Sequence, residues 1–324
     1  MLKILLLRFS SIGDIVLTSP VSRCLKKQLD AEVHFCTKRA FAPILLPNPH
    51  IARVFAFEKE VSEVISDLKK ERYDLVVDLH HNLRSLRTKL ALGRPSRVFD
   101  KLNMEKWLLV NFKIDRLPRT HIVHRYLQTV AHLGVRYDGA GLDYFIPPDE
   151  EVHLADWSPL LKKGRYVAFV LGATHATKRL PTEKIAEICR QIDQPIALLG
   201  GKAEQGVANG IVGPNVVNLC GQLNLHQSAS VVRQAGKVLT HDTGLMHIAA
   251  AFRKEIVSVW GNTVPAFGMY PFYPTGVDLN TSVEVSGLAC RPCSKIGFAR
   301  CPQGHFRCMN DISAAAISDR LKMI

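Results

Sequence analysis

No apolar run in this 324-residue chain approaches the roughly 18 residues needed to cross a bilayer, so a membrane-spanning protein is not expected. The opening residues, Met1 to Leu7, lack the basic leader, long apolar stretch and small-residue cleavage site of a signal peptide. The expectation is a cytoplasmic protein. No glycine-rich dinucleotide fingerprint follows the first apolar run; Ser10-Ser11-Ile12-Gly13-Asp14 stands in its place. That argues against an NAD-dependent oxidoreductase. Acidic residues are in the minority, 29 Asp plus Glu against 42 Lys plus Arg, a formal charge of +13. Such an excess implies an anionic partner: nucleic acid, anionic lipid or a phosphorylated substrate.

What is present is the material of two α/β domains. Hydrophobic residues make up 47% and charged residues 22%, enough apolar surface for two cores of about 150 residues each. Strand-like runs at 2–9, 31–36, 54–57 and 74–79 alternate with helical patterns at 15–29, 41–46 and 61–72. A further helix is expected at 121–133. The pattern dissolves around 147–164, a plausible linker, and then restarts. Strands are expected at 166–171, 195–199, 216–219, 238–241 and 256–260, with helices at 182–191, 225–235 and 243–251. Strands separated by helices imply parallel pairing through right-handed crossovers. The reading is two doubly wound halves facing a central cleft, with boundaries at 1–155 and 156–311. Residues 312–324 form a last helix.

In such sheets ligands bind outside the carboxyl ends of the strands, and every candidate segment falls there. Small residues at Ser10 to Gly13 let backbone approach a ligand, and Asp14 reads either as a helix cap or as a base facing the cleft. Thr174, His175, Lys178 and Arg179 put hydroxyls and two adjacent cations ahead of a helix, an arrangement suited to a phosphate-bearing ligand or to an ordinary polar loop. In Gly200-Gly201-Lys202-Ala203-Glu204, Glu204 either accepts bonds from ribose hydroxyls or faces a helix start as a dipole partner. Asp242, Thr243 and Gly244 open another helix, whose N–H groups suit a diphosphate. His247 lies one turn further on and is read as a packing residue on local grounds alone. Between Asn82 and Arg125, eleven basic residues, among them Arg84, Arg87 and Arg125, face three acidic ones. That stretch reads as a solvated helical face or as an anion-binding surface.

Together these segments resemble glycosyltransferase family nine, the heptosyltransferases. The carriers are Arg8 to Asp14, Asp78-Leu79-His80 with Arg84, Lys178-Arg179-Leu180-Pro181, Gly200-Gly201, and Asp242 to Ala251, in family order. The resemblance implies a GT-B fold and inverting sugar transfer without a catalytic metal or other cofactor. It implies an ADP-sugar donor, held mainly by the second half, and an anionic lipid-linked glycan acceptor. It also implies peripheral contact with the inner membrane surface and no nucleic-acid partner. By position, Asp14 matches the proposed base and Lys178 the lysine at the donor phosphate or sugar. Gly13, Thr174, Arg179, Glu204, Asp242, Thr243, Gly244 and His247 fall to donor and diphosphate binding. Arg84, Arg87 and Arg125 fall to the acceptor. The 312–324 helix is expected to cross back to the first domain, as in many GT-B enzymes. Leu180 departs from the family pattern, where many members carry tryptophan. A non-catalytic sugar-nucleotide binder stands as the alternative.

Of eight cysteines, Cys24, Cys36, Cys189 and Cys220 lie in apolar segments and read as small core residues. Cys290, Cys293, Cys301 and Cys308, with His305 among them, have spacing compatible with a structural metal site, reduced packed thiols or disulfides. None of these is expected to take part in catalysis.

Overall fold

A computed structural model describes residues 1–323, in two compact units: 1–101 with 120–145, and 102–119 with everything from 146 onward. The first unit holds β1 (Lys3–Leu7), β2 (Glu32–Lys38), β3 (Arg53–Phe57), β4 (Leu75–Asp78) and β5 (Ser96–Val98). They pair in the order β3-β2-β1-β4-β5, every pair parallel. The second unit holds β6 (Val167–Val170), β7 (Ile196–Leu199), β8 (Val216–Asn218), β9 (Lys237–His241), β10 (Glu255–Trp260) and β11 (Asn280–Glu284). Their order is β11-β10-β9-β6-β7-β8, again all parallel.

The sequences of the central strands follow from that topology. A parallel strand covered by helices on both faces has no solvent side, so it reads as a continuous apolar run. Ile4 to Leu7 and Ile196 to Leu199 are all fully buried. Each sheet reverses its winding once, between β1 and β4 and between β6 and β9. The loops leaving those four strands therefore open at the switch points, where such sheets bind ligands.

Several expectations need correction. The helix expected over 15–29 is two helices, Ile12–Val16 and Ser19–Leu29, because Pro20 supplies no N–H to continue the first. The domain boundary lies at 145/146, since Val152, Leu154 and Leu161 of the supposed linker are buried and Ser230 Oγ accepts from Val152 N at 3.0 Å. The last helix, Ala314–Leu321, packs on the Thr182–Arg190 helix and on β9 and β10, all of its own unit. Ile317 and Leu321 are fully buried in that core, so the helix stays with the second unit instead of crossing back. Its expected last residue, Ile324, lies outside the described residues. The segment that changes units is 102–119, whose Leu102, Leu109 and Leu117 cluster with Phe267.

Candidate functional site

In the first unit, β1 delivers Arg8 and the loop behind it to the switch point. Asp14 is the third residue of the Ile12–Val16 helix, and its carboxylate accepts from Ser11 N at 3.3 Å and Ser11 Oγ at 2.8 Å. The capping reading is therefore realised. The same carboxylate pairs with Arg8 Nη2 at 2.7 Å and stays partly open, its side chain 18% exposed. Arg8 is itself fixed, donating Nε to Ser10 O at 2.7 Å and Nη1 to Leu79 O at 2.5 Å. Burial pushes the Asp14 carboxyl up, but the Arg8 charge and the Ser11 bonds outweigh it and hold the group below its ordinary value. Asp14 is thus an ionised acceptor at neutral pH. Gly13 is buried inside the same short helix.

The neighbouring loop, after β4, is organised by Asp78. Its Oδ1 accepts from His80 N and His81 N at 3.0 and 2.7 Å, and its Oδ2 from Ser85 Oγ at 2.8 Å. Lys89 pairs with it at 3.0 Å. His80 packs on Phe9 with the rings tilted by 48° and their centres 4.9 Å apart. Burial, then the charges of Arg8 and Lys101, push its pKa down to about 4, so the ring is neutral. Arg84 and Arg87 line a groove of about 1100 Å³ along the Ser62–Lys70 and Leu83–Leu92 helices. Arg84 also pairs with Glu60 at 3.0 Å. Arg125 is 4% exposed and donates to Asp100 O at 3.1 Å. It packs within the unit and does not line that groove.

In the second unit the β6 and β9 loops meet. Lys178 Nζ donates to Asp242 Oδ2 at 2.6 Å, and Thr263 Oγ1, beyond β10, donates to the same oxygen at 3.0 Å. Both charged side chains keep a modest opening, 15% and 14% exposed. The next residue, Thr243, is extended and occupies the N-cap position of the Gly244–Ala251 helix without a side-chain bond to the helix N–H groups. The first N–H groups of that helix have no partner within it, and the dipole favours an anion there. His247 is buried in the helix. Thr174 is exposed at the lip of the β6 loop.

Glu204 accepts from Gly201 N at 2.9 Å and from Arg179 Nη1 at 3.3 Å. The helix-start reading is realised here too, with Arg179 as counter-charge. Gly200 is required by this packing: a Cβ there would sit 2.8 Å from Glu204 Cβ and 3.2 Å from Cys220 Sγ. Next in the chain after Arg179 is Leu180. Its side chain is buried and its N–H donates to His241 Nε2 at 3.0 Å. Burial first, then Arg179, pushes His241 down to about 4.

Sequence reasoning singled out Asp14, Lys178 and Asp242 in the segments that follow β1, β6 and β9 but gave no role to three residues that fix these loops. Arg8 was signalled by a cation ending an apolar strand. Thr263 had no local signal. Arg291 was hidden among turn residues, yet donates to Gly261 O, Val285 O, Thr263 O and Glu284 Oε2 at 2.5, 2.7, 3.1 and 2.8 Å.

Comparison with known proteins places the chain in a family. Residues 61–296 match the model of "Glycosyltransferase family 9 (heptosyltransferase)". The chain is 26% identical to lipopolysaccharide heptosyltransferase 1 of Pseudomonas aeruginosa over 325 aligned positions, covering 91% of this chain and 86% of that one. Its fold is similar to that of Escherichia coli ADP-heptose lps heptosyltransferase II, with TM-score 0.72, 19% identity, and coverage of 99% and 97%. It is similar also to a family 9 glycosyl transferase from Veillonella parvula, with TM-score 0.75, 19% identity, and coverage of 98% and 96%. Those likenesses establish the GT-B fold.

Proposed function

The chain belongs to glycosyltransferase family 9, the heptosyltransferases, and from that premise we propose that it moves a heptose from ADP-heptose to an anionic lipid-linked acceptor of the lipopolysaccharide core. The observation that carries the donor half of this reading is the Lys178–Asp242–Thr263 arrangement beside the open start of the Gly244–Ala251 helix. A cation held at a helix N-terminus is a receptor for a diphosphate. Asp242 does not face the donor as a ligand in this account. Two hydrogen bonds occupy its Oδ2, and it serves to orient the lysine and the loop.

The proposed reaction is a direct displacement with inversion and without a catalytic metal. Asp14 accepts the proton of the acceptor hydroxyl while that oxygen attacks the anomeric carbon. The transition state has oxocarbenium character. Negative charge grows on the departing ADP, where Lys178 and the N–H groups of Thr243 and Gly244 stabilise it. Glu204 and Arg179 hold the nucleoside end, with Thr174 and His247 beside the donor and Gly13 giving room for close approach. Arg84 and Arg87 receive the acceptor's anionic groups. Arg125, being packed, supports that lobe from within. Among the described residues no helix is long and apolar enough to cross a membrane. A cytoplasmic enzyme that meets its lipid-linked acceptor at the inner membrane surface fits the basic excess.

The test is calorimetric titration with ADP, UDP, GDP and CMP. ADP is expected to bind at least tenfold more tightly than the others, about 1.4 kcal/mol in free energy. Preference for UDP or GDP, or no binding of any, contradicts the donor assignment.

A further inference from the structure

The Leu83–Leu92 helix of the first unit is turned inside out. Its buried residues are Ser85, Thr88 and Leu92, whereas Leu83, Leu86 and Leu90 are 74%, 45% and 72% exposed. The spacing i, i+3 and i+7 puts those three leucines on one outer face. Single exposed leucines are commonplace; an aligned row above a hydroxyl-lined inner face is not. The orientation is fixed from inside. Ser85 Oγ donates to the fully buried Asp78, Lys89 pairs with the same carboxylate, and Asn82 Oδ1 accepts from Ser85 N at 2.9 Å. Thr88 Oγ1 donates to Arg84 O at 2.9 Å. Rolling the helix to bury its leucines would leave a buried carboxylate without its hydroxyl and its cation, so the leucines stay outside.

The leucine row is bordered by more apolar surface and by cations. The groove of about 1100 Å³ described above shares Leu83 with the row and adds Val61, Ile65 and Ala91. From Leu83 to Phe99 the sequence has Arg84, Arg87, Lys89, Arg94 and Arg97 and no acidic residue. Lys89 is turned inward to Asp78, and Arg84 meets Glu60. Arg87, Arg94 and Arg97 are exposed, and among the described residues none of them has an acidic partner. Arg94 follows directly on Gly93, which ends the helix. An apolar row beside uncompensated cations fits an anionic bilayer, where leucines enter at the level of the acyl chains and guanidinium groups stay with the phosphates. A second copy of this chain fits poorly. A two-fold contact on this face would set Arg87 and Arg94 against the same cations of the other copy.

We infer that the outer face of the Leu83–Leu92 helix is the surface by which the protein lies on an anionic membrane, with Leu83, Leu86 and Leu90 inserted and Arg87 and Arg94 at the lipid phosphates. The inference deepens the functional reading above, in which the acceptor is lipid-linked. It puts Arg84 and Arg87 at headgroup level, where such an acceptor presents its anionic groups. A row of three leucines gives reversible attachment, which charge must reinforce, so binding needs both the apolar face and the anionic lipid.

Co-sedimentation of the full chain with lipid vesicles tests this without nucleotide or acceptor. The vesicles are phosphatidylcholine alone, or phosphatidylcholine mixed with phosphatidylglycerol. The expected result is binding to the mixed vesicles that falls with added salt, and little binding to phosphatidylcholine alone. Leu86→Ser combined with Leu90→Ser should weaken it roughly tenfold or more. Arg94→Gln should weaken it about fivefold. Both variants should keep the parental urea midpoint, because the side chains they replace are exposed. Fluorescence of Leu90→Trp should be quenched by lipids brominated in their acyl chains more than that of the parent, which separates insertion from adsorption by charge. Equal binding to both kinds of vesicle, or parental binding by the double leucine variant, overturns the inference. So does a dimer that the leucine variant loses while the parent ignores vesicles; the face would then join two copies. None of these readouts involves ADP or sugar transfer, so the inference and the functional reading fail separately.

Discussion

Arg8 and Asp14 show how one pair serves both the fold and the proposed reaction. A buried cation at the end of β1 costs desolvation, which the Asp14 carboxylate and two carbonyls offset. The same contact lowers the carboxyl pKa and keeps it ionised, at the expense of basicity. Arg8→Gln should therefore release Asp14 toward its ordinary value, so that the acid limb of the kcat/KM profile moves to higher pH. The sign follows from the depression: the base form is lost on acidification sooner once its stabiliser is gone. An unmoved acid limb would show that the limb belongs to another group. On the donor side, Lys178→Ala removes one electrostatic contact, worth about 3 kcal/mol or roughly a hundredfold in rate. It should weaken donor use and leave the acceptor KM unchanged. Steady-state kinetics with each substrate varied decides it.

Elements explain where such pairs are assembled. The loops of Asp14, Asp78, Lys178 and Asp242 leave strands at a winding reversal, and that of Glu204 leaves β7, the neighbour of β6; small residues let side chains pack there. Gly200→Ala forces a Cβ to within 2.8 Å of Glu204 Cβ, so Glu204 must shift and lose its bond to Gly201 N. A severalfold weaker affinity for ADP is expected, with little change in acceptor use; equal ADP affinity by calorimetry would remove Glu204 from the nucleoside end. This level was largely legible in the sequence, because fully buried parallel strands announce themselves as apolar runs. Two edge strands were not. β5 (Ser-Arg-Val) and β11 (Asn-Thr-Ser-Val-Glu) are partly exposed, so burial imposes no apolar pattern on them. Pairings distant in sequence were equally silent. Nothing local to Lys178 names Asp242, and nothing local to 102–119 says that its leucines meet Phe267.

At the scale of the molecule, two histidines link the fold to pH. His80 and His241, in separate units, both have pKa values near 4 against 6.5 when unfolded. Between those values the unfolded chain binds protons that the folded chain refuses, so stability rises with pH across that window and falls on acidification. Urea unfolding at several pH values should show this slope, made shallower by His80→Gln. A parent and variant with the same slope would assign the loss to other groups. The catalytic account is tested most directly by transfer itself: purified protein, ADP-heptose and a lipopolysaccharide-core acceptor, with chelator present, and the product's anomeric configuration read by NMR. The account predicts transfer with inversion, nearly abolished in Asp14→Asn while ADP binding persists. Retention of configuration, or parental turnover in Asp14→Asn, would contradict it.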